Sequence, residues 1–392
     1  MTDLSFCFKP VNNYDFPLSE SSSNKRLGEL IRIFSDEEHF PSLDGMDIAI
    51  IGVDEDRRSV NNEGCGMAAD SVRSFLFRLF PANYRVKIAD LGNIRRGNQP
   101  EDTYFALTSA IEYLLSAGIV PLIIGGGQEL TYSAYKAYKN QNHIINIAAI
   151  DNMFDIGENE DLFNSNSYLS HIILHKPNYL FNYTNIGYQT YFVDQGAIDL
   201  MKDLFFDICR LGVAQSNILE TEPLVRNADM LTFDMAAIRQ SDAPGNGNAT
   251  PNGFYGEEAC QIIRYAGLSD KLSCIGFYEM NPAFDRNGQT AHLLAQMIWH
   301  FIDGFYHRQN DHPSRDKSGF IRFNVQLTNH EDGIVFYKSK KTDRWWMEVK
   351  CAENLKEKYR HHYLVPCSSN DYQTACNDEI PDRWWQAYQK LM

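Results

Sequence analysis

A chain of 392 residues has room for one large α/β domain with an addition, or for two domains. Its 44% hydrophobic and 22% charged residues are ordinary globular composition, which excludes a disordered or fibrous protein. Against 51 Asp and Glu the 36 Lys and Arg leave a net charge of −15, and no basic stripe interleaved with aromatics occurs, so a nucleic-acid partner is not expected. The start, Met1 to Phe6, has no basic region followed by an apolar run. No stretch reaches the roughly 18 apolar residues of a membrane span, so neither a signal peptide nor a membrane partner is expected and the location is read as cytoplasmic. The 8 cysteines are scattered and never form a CxxC pair, which argues against a structural zinc or a redox dithiol.

In chain order, residues 1–45 form an N-terminal extension with a Ser-rich patch (Ser19 to Ser23) and a helical stretch near Lys25 to Phe34. Met46 to Val53 is a first buried strand ending in a Gly-containing turn. Strands then alternate with helices. The strands are Tyr84 to Leu91, Val120 to Ile124, Ile144 to Ile150, Tyr179 to Ile186, Thr190 to Val193, Met230 to Phe233 and Leu272 to Tyr278. The helices are Asp102 to Ala117, Glu129 to Lys139, Ile198 to Arg210, Gly256 to Ala266 and Thr290 to Tyr306. Such alternation predicts βαβ units and a mainly parallel sheet over 46–306.

After Tyr306 the pattern changes. A polar connection, His307 to Lys317, leads into runs expected as antiparallel strands: Phe320 to Leu327, Gly333 to Tyr337, Trp345 to Val349 and His362 to Val365. Residues 307–392 are thus a C-terminal β-rich extension. Asp-Arg-Trp-Trp occurs at 343–346 in a strand and at 382–385 in a helix, contexts too different for a repeat. The aromatics of this tail either cover the core or a subunit interface, or form a ligand patch.

Three short segments each follow an apolar, β-branched run: Gly125-Gly126-Gly127-Gln128-Glu129, Asp151-Asn152-Met153-Phe154-Asp155 and Thr232-Phe233-Asp234-Met235-Ala236. Each reads as the end of a buried parallel strand, where open α/β sheets form their sites. They carry the carboxylates Asp151, Asp155 and Asp234, with no histidine or cysteine beside them.

Together with Gly52 to Arg73 (Asn62, Gly64, Gly66, Ala68), Asp90-Leu91-Gly92, the loop Ser241-Asp242-Ala243-Pro244-Gly245 and Tyr278-Glu279-Met280-Asn281-Pro282 followed by Asp285, Gly288 and Thr290-Ala291, these segments resemble the ureohydrolase family of arginase, agmatinase and formimidoylglutamase. The Gly-Gly-Gly-x-Glu variant is closest to formimidoylglutamase-like members. The resemblance implies a three-layer α/β/α fold and, in active members, two Mn²⁺ ions at the carboxyl ends of the strands with a bridging hydroxide. A guanidine or amidine carbon is a poor electrophile, and metal coordination supplies hydroxide at neutral pH by lowering the pKa of bound water from roughly 16 toward 7.

The six ligand positions that the resemblance implies are Gln128, Asp151, Met153, Asp155, Asp234 and Ala236; the family has His at the first and third and Asp at the last. Gln128, Met153 and Ala236 are thus degenerate positions. Gln128 offers a neutral carbonyl oxygen, Met153 a soft thioether that hard Mn²⁺ disfavours, and Ala236 nothing. The second ion loses both of its exclusive ligands, while the first keeps three carboxylates and an amide. The pocket is therefore metal-free, or it holds a single hard cation (Mg²⁺, Mn²⁺ or Ca²⁺), or it holds a pair of Mn²⁺ ions through substituted ligands; none or one is expected over two.

Glu279 matches a family carboxylate near the substrate's amidino group and is a candidate catalytic or substrate-binding residue, with Asp155 the other catalytic candidate. A fold-supporting hydrogen bond is the alternative role for Glu279. Asn252, in the Gly/Asn-rich loop from Ser241 that is expected at the pocket mouth, is a second candidate substrate contact. His171 and His175 could shuttle protons or be satisfied structural histidines, and Cys65 lies in the Gly-rich loop with no base nearby.

The expected function is a ureohydrolase-family protein that has lost binuclear Mn-dependent hydrolysis and acts as a binding or structural pseudoenzyme. The alternative is a hydrolase of linear amidine C–N bonds, formimidoylglutamate-like in substrate, using one metal. Expected partners are a small amidine, guanidine or glutamate-like ligand and a second copy of the chain in a homo-oligomer.

Overall fold

The computed structural model describes residues 4–11, 25–82, 85–140, 144–157, 163–314, 316–328, 333–352 and 358–392. The Ser19 to Ser23 patch and Tyr84 lie outside the described residues. Ten strands make one sheet: β1 (Phe8–Lys9), β2 (Arg32–Ile33), β3 (Ile48–Val53), β4 (Ile88–Ile94), β5 (Val120–Ile124), β6 (Ile145–Ile150), β7 (Leu180–Tyr188), β8 (Asp207–Arg210), β9 (Met230–Asp234) and β10 (Cys274–Tyr278). Their order is β1-β4-β3-β5-β10-β9-β6-β7-β8, with β2 also on β4. Every pairing is parallel except β1 on β4.

The apolar runs are buried from end to end, as strands covered on both faces require. Alternate residues feed two cores. Ile48, Ile50, Leu122, Ile150, Leu231 and Phe277 pack with helices α1 (Ala68–Leu76), α8 (Gly256–Leu268) and α9 (Gln289–Tyr306). Ala49, Ile51, Ile123, Ile147 and Ala149 pack with α2 (Pro100–Ser116), α3 (Leu130–Lys136), α4 (Tyr168–Ile173) and α5 (Gln195–Asp203). The architecture is therefore the expected three-layer α/β/α arrangement. Helices α6 (Leu211–Ser216) and α7 (Thr221–Arg226) lead into β9. Helices α8 and α9 cross without room for a methyl group: a Cβ on Gly304 would lie 2.4 Å from the Arg264 carbonyl oxygen.

Helix α1 delivers Arg73 to β4. The guanidinium is buried, with Nε and Nη2 each 2.8 Å from an Asp90 carboxylate oxygen. Asp70, Asn93 and the Gly92 carbonyl take its remaining hydrogens.

Several elements differ from the reading of the sequence. The stretch near Lys25 to Phe34 is a single 3-10 turn, Leu27–Glu29, followed by the short strand β2. Thr190–Phe192 is a 3-10 turn rather than a strand, because β7 runs on to Tyr188 and its neighbour β8 pairs only as far as there. The expected helix Ile198 to Arg210 ends at Asp203, and Asp207–Arg210 forms the edge strand β8 instead.

A second sheet, wholly antiparallel, holds β11 (Phe320–Val325), β12 (Ile334–Ser339), β13 (Trp345–Glu348) and β14 (Leu364–Cys367). With α10 (Ser369–Cys376) and α11 (Asp382–Leu391) it builds a core of its own around Phe336, Met347, Val365, Trp384 and Leu391. Trp345 stacks on Phe323 and Tyr372 within this unit, and Trp346 is buried against the main domain, where the Arg226 guanidinium lies 4.4 Å from its ring centre. His362 reaches the Ile144 carbonyl 3.0 Å away, a further tie between the two sheets.

Candidate metal centre

Four neighbouring strands in the middle of the sheet, β5-β10-β9-β6, end in Gly125–Glu129, Glu279, Asp234 and Asp151. The candidate residues therefore converge because of strand order, not sequence proximity. Beyond β5 the chain turns through Gly125 and Gly126, at φ of 90° and 80°, a region that favours glycine. A Cβ at Gly126 would sit 2.7 Å from the Glu55 carbonyl oxygen. This turn swings Gln128 back over the sheet, where its Nε2 donates to Thr232 Oγ1 at 2.9 Å. Gln128 Oε1 is left buried with no hydrogen-bond donor among the described residues.

Asp151 and Asp234 each end a strand and each accept a hydrogen bond from the amide two residues on: Met153 N to Asp151 Oδ1 at 3.0 Å, Ala236 N to Asp234 Oδ1 at 2.6 Å. Asp155 reaches the same spot from a left-handed backbone conformation, φ 51°. One carboxylate oxygen from each of the three lies within 4.8 Å of the other two. Ligands facing each other across a six-coordinate Mg²⁺, Mn²⁺ or Ca²⁺ stand about 4–5 Å apart, so the spacing suits one such ion. Apart from the hydrogen bond that the two carboxyls share, Asp151 Oδ2 and Asp155 Oδ2 are buried without a partner among the described residues.

The electrostatics agree with the geometry. Burial raises the Asp151 carboxyl to about 6, against the pull of the Met153 amide, a hydrogen bond with Asp155 and the Asn152 amide. Burial first, and then the charges of neighbouring carboxylates, hold Asp155 and Asp234 well above the usual range. Glu129 rises to about 8, chiefly through burial and then through Glu279. Three acids facing one another with no positive side chain among them cannot all ionise unless a cation joins them. The three carboxylates suit one hard divalent cation, while positions 153 and 236 carry a thioether and a methyl group, which bring no hard donor.

The remaining candidates take distinct places. Glu279 is buried at φ 64°, and both of its carboxylate oxygens are engaged. Oε1 accepts from Gln128 N at 2.8 Å; Oε2 accepts from Ser59 Oγ and Asn62 Nδ2 at 2.7 Å. Asn252 sits at the exposed rim, its Nδ2 3.2 Å from the Tyr191 hydroxyl and its carbonyl accepting from Gln189 Nε2. The loop from Ser241 crosses the site: Gly247 N donates to Asn62 Oδ1 at 2.8 Å, Asn248 Nδ2 to the Val60 carbonyl at 2.9 Å. His175 Nδ1 pairs with the Tyr132 hydroxyl at 2.9 Å, and His171 packs against Phe163 and Tyr132. Burial holds the Cys65 thiol well above its ordinary pKa, which leaves it a poor nucleophile.

Two contributors escape the reading of the sequence. Thr232 orients Gln128, and its place two residues before Asp234 puts both on one face of β9, a period-two signal present in the chain. Asn246 lies beside Asp234 and opposes the rise of its pKa, and nothing in a Gly/Asn-rich loop singles it out.

The model describing the Arginase family matches residues 46–303. A formimidoylglutamase of Corynebacterium efficiens is 24% identical over 260 residues, spanning 64% of this chain and 82% of that protein. One from Staphylococcus aureus is 24% identical over 280 residues, 65% and 85% of the two chains. Among solved structures, a Trypanosoma cruzi formiminoglutamase with Mn²⁺ superposes at a TM-score of 0.65 with 20% identity, covering 73% of this chain and all of that one (100%). The Bacillus subtilis formimidoylglutamase gives 0.66 at 20% identity, covering 76% and 96%.

Proposed function

This chain belongs to the arginase family, and within it we propose a one-cation member that binds a linear amidine or glutamate-like ligand without the family's two-metal hydrolysis. The observation carrying this reading is the cluster of three carboxylates, Asp151, Asp155 and Asp234, within 4.8 Å of one another, beside positions 153 and 236 that bring no hard donor. When bound, the cation supplies positive charge that keeps the three carboxylates ionised and can draw a ligand's lone pair or a water toward it. Glu279 acts as a scaffold here, since its oxygens are taken by Ser59, Asn62 and the Gln128 amide. The residues named for the rim, Asn252 with Tyr191, would meet the ligand's outer end.

A second reading, hydrolysis of a linear amidine C–N bond with one metal, is favoured by the formimidoylglutamase relatives. In it Asp155, one of the three clustered acids, would take the proton from a water that the cation, when bound, would make more acidic.

Manganese content after loading and desalting is the test. One equivalent per chain is expected, none in Asp155→Asn, and two in the triple variant Gln128→His, Met153→His, Ala236→Asp. Two equivalents in the unaltered protein would overturn the proposal. Formamide released from N-formimidoyl-L-glutamate by the one-metal protein would decide for the second reading.

A further inference from the structure

Both sheets end in edge strands, and every edge but one is blunted. β1 and β2 are two residues long, and β8 is four residues with Asp207 and Arg210 at its ends. β14 carries Pro366, and its Cys367 carbonyl is taken by Arg226 Nη2. Short length, charge, proline and a covering neighbour are what keep a sheet edge from pairing with another chain. The exception is β11, Phe-Ile-Arg-Phe-Asn-Val, a regular strand of 6 residues. It pairs with β12 on one side and with no strand among the described residues on the other.

The ladder with β12 sets which groups face outward. One step beyond the opposed residues Phe320 and Ser339, Lys340 N donates to the Gly319 carbonyl at 3.0 Å, so Gly319 and Lys340 form a hydrogen-bonded pair. Such pairs alternate along an antiparallel ladder. Ile321, Phe323 and Val325 therefore bond to β12, and Arg322 and Asn324 turn their N–H and C=O groups to the open edge. The side chains alternate as well. Phe323 lies with Trp345 and Tyr372 on the α10 face, and Phe320 meets Trp346 on the other. The α10 face is unfinished at this edge: Ile321 is 44% exposed, and Phe323 and Val325 are only half-buried.

We propose that β11 docks against β11 of a second copy of this chain, antiparallel about a two-fold axis at Phe323, which joins two four-stranded sheets into one. A second copy fits because the register closes on itself. Across an antiparallel pair, residues that face outward must stand opposite residues that face outward, so Arg322 and Asn324 can meet only each other or themselves. Placing Arg322 opposite Arg322 sets two like charges together, which is destabilising. The next allowed register places Arg322 opposite Asn324 on both sides of the axis, and the two pairs exchange four backbone hydrogen bonds. In that register Phe323 meets Phe323 and Ile321 meets Val325, which covers the unfinished apolar face with its own kind. The strand lies in the C-terminal sheet, outside the three-layer domain, so the pairing leaves the acid cluster at the ends of β6 and β9 untouched.

The test is sedimentation velocity of the full-length protein over a wide concentration series, and a reversible dimer is expected. Asn324→Lys, at an exposed position, sets a lysine opposite Arg322 on both sides of the axis. It should weaken the dimer about tenfold or more, with the circular dichroism of the subunit unchanged. Adding Arg322→Asp to that variant makes each opposed pair oppositely charged and should restore the affinity, which a merely unfolded edge could not do. A monomer at every concentration would overturn the proposal and leave the edge to an unrelated strand. A dimer that Asn324→Lys leaves as tight as before, or one that the double variant fails to restore, would overturn it equally.

Discussion

Two of the places where the molecule buries charge are handled in opposite ways. Around Arg73 every guanidinium hydrogen meets an acceptor, with the Asp90 carboxylate gripping two of its nitrogens at 2.8 Å. Around Asp151, Asp155 and Asp234 three acids stand within 4.8 Å of one another with no positive side chain among them, and apart from the hydrogen bond that Asp151 and Asp155 share, two of their oxygens are unpartnered among the described residues. The first site is complete in the sequence; the second, on the reading proposed above, is completed by an ion from outside. A buried charge is stable when paired and costly when not, so the first should be sensitive to mutation and the second to solution conditions.

The sharpest way to break this contrast is Arg73→Met, which leaves Asp90 buried and unpaired. It should cost about 3–5 kcal/mol in urea unfolding; an unchanged midpoint would mean that the pair is not what holds β4 against α1. Next comes pH. The Asp151 carboxyl titrates near 6 in the fold against about 3.9 in the unfolded chain, so its folded pKa is raised. Stability from the protonated form is thus fully present below about pH 4 and lost as pH rises through about 6, a change of no more than roughly 3 kcal/mol. Metal-free protein should therefore melt at lower temperature at pH 7 than at pH 5, and saturating Mn²⁺ should abolish or reverse that trend. A flat pH profile without metal would contradict the picture of uncompensated acids.

Smaller still, Asp155→Asn removes one of the opposing charges and should stabilise the metal-free protein by about 1–2 kcal/mol while abolishing the response to Mn²⁺. At the bottom of the scale, Asn252→Ala at the exposed rim should shift stability by no more than about 0.5 kcal/mol and leave the bound manganese unchanged. Its effect should be confined to ligand affinity, read by thermal shift with N-formimidoyl-L-glutamate.

The central strands are legible because each is a short, almost wholly apolar run: Ile48–Val53, Val120–Ile124 and Ile145–Ile150 (with only Asn146 polar) leave no other reading once helices are seen between them. Edge strands are not. Arg32–Ile33 and Asp207–Arg210 are half-buried at best and are strands only because β4 and β7 offer them hydrogen bonds. Thr190–Phe192 has strand-like composition with no partner to pair with, and so it turns. At the site, the acids announce themselves by following such apolar runs. What no pattern could convey is saturation: that Glu279 is fully engaged while Gln128 keeps a free carbonyl oxygen depends on contacts 151 residues apart in the chain.

That saturated carboxylate also sets how the pocket can breathe. Through Ser59, Asn62 and the Gln128 amide, Glu279 stitches the loops after β3, β5 and β10 into one wall. Its own amide donates to the Gly126 carbonyl at 2.9 Å and closes the seam. By contrast, Met153 and Asp234 are only partly covered and Asn252 is exposed. A fluorescent reporter at residue 252 should register a ligand's arrival, whereas one beside Ser59 should stay silent until the whole wall unfolds.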